Sequence, residues 1–195
     1  MKKILTFCLI ATFTILGCNQ ANQNEKKKNE QMNLVKNARE AKKLSYESFE
    51  SCREANPDAL EACATFAALA SAVDSSIEQL CIFNVVYVQD NDKLKKNIKE
   101  LDSLIEIYLQ MSKNMREMMD SKDKTAKEGI LKRLDELGER EKQIKAEMLT
   151  NFKEDASLYF NLSTDIEANT KINNCKTMYD DLTNPYNKNA DIFFN

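Results

Sequence analysis

The scarcity of turn-forming residues constrains this chain more than any other feature of its sequence. Its 195 residues include three Gly and two Pro, whereas an all-β domain of that length needs many tight turns built on such residues. Gly129 and Gly138 do not have the spacing of a phosphate-binding loop. The sequence therefore predicts an all-α protein without a Gly-rich nucleotide site.

The absence of His removes several kinds of chemistry, since the chain contains no imidazole at all. It excludes a Ser-His-Asp or Cys-His catalytic set, a His-ligated zinc ion and a haem held by a proximal His. No remaining side chain acts as a general base near neutral pH without unusual pKa tuning. We therefore expect a protein that is not an enzyme and carries no cofactor.

The N-terminus has the organisation of an export signal. Lys2 and Lys3 precede the thirteen-residue stretch Ile4 to Leu16, which suits a signal peptide and is too short to span a bilayer core of about 30 Å as a helix. The stretch runs into Ile15-Leu16-Gly17-Cys18 and is followed by a polar segment. This sequence resembles the lipobox of bacterial prolipoproteins, whose Cys is acylated and becomes the new N-terminus.

The resemblance implies a signal peptide at residues 1–17, a lipid anchor on Cys18, palmitate included, and a location in the bacterial cell envelope. Two or three acyl chains would anchor the protein stably, because a single chain binds a membrane only marginally. Asn19 differs from the Asp that retains many lipoproteins at the inner membrane of enteric-type bacteria. We expect the outer membrane or the cell surface, and the alternative is an uncleaved N-terminal anchor.

The charge of the mature chain argues against a nucleic-acid partner. The loss of Lys2 and Lys3 from 28 basic residues, against 31 acidic ones, leaves a net charge of −5, and nucleic-acid binding depends on basic patches. Residues 18–30 are rich in Asn, Gln and Lys and cannot bury a core. They are predicted to form a flexible tether.

Cysteine usage predicts disulfides in the folded region. Cys8 would leave with the signal peptide and Cys18 would take the lipid. The four cysteines that remain are Cys52, Cys63, Cys81 and Cys175. Export would place them in a compartment that permits disulfides, and four cysteines allow three pairings.

The helical pattern distinguishes among these pairings. Pro57 marks a turn midway between Cys52 and Cys63, so these two cysteines should face each other across an antiparallel hairpin. Cys81 follows Cys63 by eighteen residues, or five whole turns, which puts the two on one helix face about 27 Å apart and prevents a bond. The predicted pairs are Cys52–Cys63 and Cys81–Cys175, and the alternative is that some of the four are free buried thiols.

Apolar residues recur at three- and four-residue spacing along five segments of residues 31–183, which predicts an elongated antiparallel bundle of four to five helices. The predicted helices cover about residues 30–55, 57–88, 93–119, 125–162 and 165–182. Val88 closes the apolar stripe of the second helix, and Ile166 opens that of the fifth.

Capping patterns set the predicted starts of the last two helices. Capping boxes formed by Thr125 with Glu128, and by Thr164 with Glu167, would open them. A break near residue 163, rather than near 150, would bring Cys175 level with its predicted partner. Asn184-Pro185 would end the fifth helix, and the tail of residues 184–195, with Phe193 and Phe194, is expected to fold back onto the bundle.

Four methionines at helical spacing form a candidate metal site on the third helix. They are Met111, Met115, Met118 and Met119. Thioethers are suitable ligands for Cu(I), although methionines at such offsets also serve as adaptable core filling. Apart from this candidate, the sequence indicates no metal site.

A protein-binding or surface-interaction role is the leading functional hypothesis: adhesion, host-factor capture or assembly with another envelope component. Long helices present broad faces that suit partner helices or extended surfaces. One alternative is an inhibitor or immunity lipoprotein that binds an enzyme or toxin. A second is a carrier of a small ligand or Cu(I) that uses the methionine cluster.

Overall fold

The computed structural model describes the backbone of residues 21–193 apart from residues 56, 59 and 163. Side chains are described from residue 32 to residue 190, except those of 60, 62 and 91 and of the three residues just given. Within this part every regular element is helical, which confirms the predicted all-α class. The predicted signal peptide 1–17, Cys18 and the side chains of Phe193 and Phe194 lie outside the described residues.

Six α-helices and one 3-10 helix follow one another along the described chain. They are α1 Ala21–Ala55, α2 Leu60–Val86, α3 Asn91–Asp120, α4 Lys124–Glu154, α5 Ala156–Leu162 and α6 Ile166–Thr183, with the 3-10 helix at Lys188–Phe193. The chain divides into two units, Met1–Asn33 and Leu34–Asn195. The helical bundle belongs to the second unit.

The first helix begins earlier than predicted. It starts at Ala21, so residues 21–30 of the predicted tether are helical. Glu25 and the lysines that follow it are good helix formers, and no Gly or Pro occurs between Ala21 and Ala55. The polar composition that predicted an irregular tether is equally compatible with a solvated helix.

Both predicted capping boxes are wrong, because an Asp caps each helix in place of the Thr. The Asp123 carboxylate accepts a hydrogen bond from the Thr125 N–H at the start of α4. Asp165, rather than Thr164, caps α6 by accepting from the Ala168 N–H. A carboxylate satisfies the free amides as a hydroxyl does and also interacts favourably with the positive end of the helix dipole.

The predicted fourth helix of residues 125–162 is interrupted at Asp155. α4 ends at Glu154 and α5 begins at Ala156, although neither Gly nor Pro occurs nearby. The Asp155 carboxylate accepts hydrogen bonds from Lys93 Nζ at 2.6 Å and from Tyr87 Oη at 2.8 Å. These bonds reach the junction between α2 and α3, and they account for a break that the local sequence does not show.

The core lies among α1, α2, α3 and α6. Its buried apolar side chains include Leu34, Val35 and Ala38 of α1, Val73, Ile77 and Leu80 of α2, Leu101, Leu104 and Ile105 of α3, and Ile172 and Tyr179 of α6. Among described residues α4 contributes one fully buried side chain, Ile130, and α5 contributes none. The two helices therefore form a peripheral layer.

Polar pairs attach much of α4 to α3. Arg133 Nη2 lies 2.9 Å from Glu117 Oε2, and Lys96 Nζ donates to Asn151 Oδ1 at 3.3 Å. Exposed pairs of this kind contribute little to stability, roughly 0 to 1 kcal/mol each. The attachment of α4 therefore depends mainly on apolar contacts, those of buried Ile130 and of the partly buried Ile144 and Met148, which pack against the main core.

A polar layer crosses the core between α1, α2, α3 and α6. Lys42, which is 6% exposed, donates to Asp74 Oδ1 at 2.6 Å and to Thr183 Oγ1 at 3.4 Å. Ser45 Oγ and Ser112 Oγ lie 2.9 Å apart in the same interior. A buried ammonium group is tolerated because it is paired and hydrogen-bonded.

Two disulfides join three of the core helices. Cys52–Cys63 links α1 to α2, and Cys81–Cys175 links α2 to α6, with a Cα–Cα distance of 5.7 Å in each. These are the two predicted pairs. The ion pair between Lys176 and Glu78, with Nζ 3.1 Å from Oε2, lies beside the second disulfide.

The C-terminal tail folds back onto α1, as predicted. Arg39 Nη2 donates to the carbonyl oxygens of Pro185 and Asn187 at 3.4 and 3.1 Å. Ala190 is 2% exposed. Among the described side chains of residues 184–190, that of Ala190 is the buried one.

One described helix, α2, is long and apolar enough to cross a membrane over Cys63–Val86. Half of that stretch is buried inside the bundle, and Asp74 and Glu78 within it pair with lysines of α1 and α6. Its apolar composition therefore matches its place as the central helix of the core.

Candidate functional site

A groove of about 440 Å³ lies between α2 and α4, with α3 as its floor. The α2 wall extends from Ala72 to Phe83, a distance of about 16 Å at 1.5 Å per residue. Apolar side chains on its floor and sides are Phe83, Leu101, Leu104, Tyr108, Met148, Leu149 and Phe152. Polar lining comes from Ser75, Ser76, Gln79, Asn97, Lys145, Asn151 and Tyr159.

Asn97 is the unusual residue of this groove. It is 3% exposed and lines the cavity, yet its carboxamide forms no hydrogen bond with any described residue. Its neighbours differ: Ser76 Oγ donates to the Ala72 carbonyl at 2.9 Å, and Asn151 Nδ2 donates to Glu100 Oε2 at 3.4 Å. The carboxamide thus has no partner within the described protein, but its polar atoms are open to the groove, because Ser48 Oγ is the only described side-chain polar atom that is fully buried without a partner.

The rim of the groove holds a second polar cluster. Tyr108 Oη donates to Glu141 Oε1 at 3.0 Å, Lys145 Nζ donates to the same oxygen, and that nitrogen lies 5.8 Å from the centre of the Tyr108 ring. Burial, together with the negative charge of Glu141, raises the pKa of Tyr108 to about 12. The phenol therefore remains a neutral donor at physiological pH, and the Lys145 ammonium group is already paired.

A second surface feature is a set of exposed apolar side chains at the α2–α3 junction, on α5 and at the start of α6, here named the apolar end. Its members are Val88, Leu158, Phe160 and Ile166, which are 74%, 44%, 76% and 84% exposed. Val88 and Leu158 line one shallow depression, and Ile166 begins α6 just after α5. The sequence placed Val88 and Ile166 in core-facing stripes, and the structure shows both exposed.

Charged groups lie beside the apolar end: Asp90, Asp92 and Lys93 line the depression that contains Val88 and Leu158. The hydrogen bond from Lys93 to Asp155 is the main reason why the pKa of Lys93 is raised, and the charges of Asp90 and Glu154 raise it further. The same bond is the main reason why the pKa of Asp155 is lowered. Asp165, the N-cap of α6, adds another carboxylate at this end.

The methionines of α3 are placed as packing residues. Met111 packs against the main core, Met115 contacts both it and the smaller cluster around Cys52, Cys63 and Phe66, and Met119 packs against that smaller cluster. Met118 is partly buried. None of the four lines the α2–α4 groove.

In the described part of the chain, no group of three or more His, Cys, Asp or Glu side chains is arranged to hold a metal ion. Comparison with protein-family models finds no match. Searches of curated proteins and of solved structures also find no match.

Proposed function

We propose that the protein is a lipoprotein of the bacterial cell envelope, anchored through Cys18, that binds another protein through its apolar end. The observation that carries the binding proposal is the exposure of Val88 and Leu158, which line one depression, together with that of Ile166 at the start of α6. Exposed clusters of large apolar residues with a polar rim mark interaction surfaces in otherwise soluble domains.

Charge favours a protein partner over a lipid surface. Asp90 and Asp92 line the depression beside Val88, the charge of Lys93 there is paired with Asp155, and Asp165 directly precedes Ile166. Carboxylates are repelled by the anionic headgroups that attract peripheral proteins. A partner with an apolar centre and a basic rim would complement both features, because rim charges steer association and select the partner. The proposal therefore predicts salt-sensitive association with such a protein.

The anchor is tested by acylation in a bacterial host. The wild-type chain should incorporate radiolabelled palmitate and lose its signal peptide, and globomycin should cause the precursor to accumulate. Cys18→Ala should abolish labelling. Equal labelling of both proteins, or a precursor size that globomycin leaves unchanged, would remove the lipoprotein proposal. Protease treatment of intact cells then separates surface display from a periplasmic location.

The binding surface is tested by photo-cross-linking in intact cells. A photoreactive residue at Ile166 should give a discrete protein adduct that excess unlabelled chain competes away. A matched position is Leu131, a large apolar residue on α4 that is 49% exposed and lies near the α3–α4 junction; it should give no such adduct. Val88→Asp should abolish the Ile166 adduct.

Two outcomes would contradict the binding proposal. Adducts of Ile166 that consist of lipid alone would assign the apolar end to the membrane surface, and indistinguishable patterns at Ile166 and Leu131 would remove its specificity. A one-to-one complex with an enzyme or toxin would support the binding proposal and identify the partner class as that of an inhibitor or immunity protein.

A further inference from the structure

We propose that the groove between α2 and α4 binds a small neutral amphiphile, with its apolar body on the α3 floor and an amide or hydroxyl group at Asn97. This site is separate from the apolar end, and the inference does not depend on a protein partner. The groove volume of about 440 Å³ lies within the range of small-molecule sites.

The lining selects an apolar body. Phe83, Leu101, Leu104, Met148 and Phe152 line the groove, and α3 supplies its floor from residues one or two turns apart on a single face. Contact with these side chains removes apolar ligand surface from water, which is the main source of affinity in such sites. The length of about 16 Å along α2 suits an elongated molecule rather than a compact one.

Charge excludes ionised ligands. Lys145 is the one charged residue among those described as lining the groove, and its ammonium group is bound to Glu141 and lies over the ring of Tyr108. A ligand carboxylate would have to compete with Glu141, and a ligand ammonium group would meet Lys145 itself. An ion without a counter-charge is penalised in an apolar groove, so a neutral ligand is favoured.

Asn97 supplies the polar contact. Its carboxamide offers two donors and one acceptor. The residue is 3% exposed, and no described residue forms a hydrogen bond with its side chain. An amide or hydroxyl group on the ligand would pair with it in place of solvent. A ligand of similar shape without such a group would displace that solvent and leave the carboxamide without a partner, which lowers affinity.

The experiment uses the full chain, carrying Cys18→Ala to prevent acylation and with both disulfides formed. The probe is diphenylhexatriene, a rod-shaped apolar fluorophore without hydrogen-bonding groups, and the competitors are decanamide and decanoate. Diphenylhexatriene should gain fluorescence on binding. Decanamide should displace it at concentrations at least about tenfold lower than decanoate, because the anion lacks a free counter-charge.

Three variants locate the binding. Asn97→Leu should bind diphenylhexatriene at least as tightly as the wild type, because no polar group is then desolvated, and should weaken decanamide about tenfold, the effect of losing one or two hydrogen bonds. Ser75→Trp, which places an indole into the groove from an exposed position, should abolish binding of both. Asn173→Leu is the matched control, since Asn173 is an exposed residue of α6 that does not line the groove, and it should change neither.

The Asn97→Leu variant is expected to fold, because Leu is a better helix former and has no unsatisfied polar group; circular dichroism checks this directly. Failure of decanamide to displace the probe, equal decanamide affinity in the wild type and Asn97→Leu, or unchanged binding in Ser75→Trp would each overturn the proposal. The photo-cross-linking at Ile166 reads a different surface, so either proposal can fail without the other.

Discussion

The two disulfides should differ in their contribution to stability, because they close loops of very different length. Cys52–Cys63 spans 11 residues and Cys81–Cys175 spans 94. In the chain-entropy model a cross-link restricts the unfolded chain more as its loop lengthens, which gives about 2.8 kcal/mol for the short loop and about 4.7 kcal/mol for the long one. The expected difference is therefore about 1.9 kcal/mol.

The comparison is made between two double variants, Cys52→Ala with Cys63→Ala, and Cys81→Ala with Cys175→Ala. Each removes two sulfur atoms, one of them from a fully buried residue, Cys63 or Cys81, so the packing losses are similar and largely cancel. The free energy of unfolding is measured by urea titration, and the midpoint of thermal unfolding should differ by about 4 to 8 °C.

The denaturant slope provides a second readout. Loss of the long cross-link should raise the m-value more than loss of the short one, because the unfolded chain then exposes more surface. Equal stability losses in the two double variants, or a larger loss without Cys52–Cys63, would refute the loop-entropy reasoning. It would show instead that local packing around each sulfur pair determines the effect.

Three further predictions concern the packing of the bundle. Asp74→Asn should destabilise the fold by about 2 kcal/mol, since it leaves the Lys42 ammonium group buried without its counter-charge. Lys42→Met should cost less, because the Asp74 side chain that loses its partner is 40% exposed. Thermal unfolding of both variants tests this asymmetry, and equal losses would contradict it. The pKa of Asp155 is lowered in the folded state, so the ionised carboxylate stabilises the fold fully above its unfolded pKa of about 4, and this stabilisation is lost as the pH falls through the folded pKa. The difference in stability between the wild type and Asp155→Asn should therefore shrink on acidification below pH 4. A difference that stays constant would contradict this prediction. Ile130→Ala should lower the free energy of unfolding by about 2 to 4 kcal/mol, whereas Leu131→Ala, at the exposed neighbouring position, should lower it by less than about 0.5 kcal/mol. Comparable losses would mean that α4 is not held by its buried residue.

The disulfide pairing could be predicted because it depends on local geometry. The turn count between Cys63 and Cys81 and the position of Pro57 are properties of the sequence alone, and they leave one consistent pairing. The break between helices near residue 163 could be placed for the same reason, since it had to bring Cys175 level with Cys81.

Helix boundaries were less predictable because competing signals are close in energy. Asp123 and Asp165 stand within two residues of the Thr residues that formed the predicted capping boxes, and all four are acceptable caps. The interruption at Asp155 depends on Lys93 and Tyr87, which are more than sixty residues away in the chain. Sequence periodicity contains no information about such tertiary bonds.

The groove could not have been found from periodicity, but one of its residues left a trace. Asn97 precedes Leu101 by one helical turn and so lies on the apolar stripe of α3, where a polar side chain interrupts the pattern. The spacing between α2 and α4 that creates the cavity depends on how two non-adjacent helices rest on α3. Val88 and Ile166 are exposed although their spacing predicted burial, because each lies at a helix end.

The placement of the second disulfide also affects how the molecule responds to proteases. Residues 82–174, which include α3, α4 and α5, lie inside the loop that Cys81–Cys175 closes. A single peptide-bond cleavage within that loop leaves both fragments covalently joined through sulfur. A nicked molecule would therefore migrate as one species on a non-reducing gel and separate into two only after reduction, so proteolysis of this protein must be followed in the presence of a thiol.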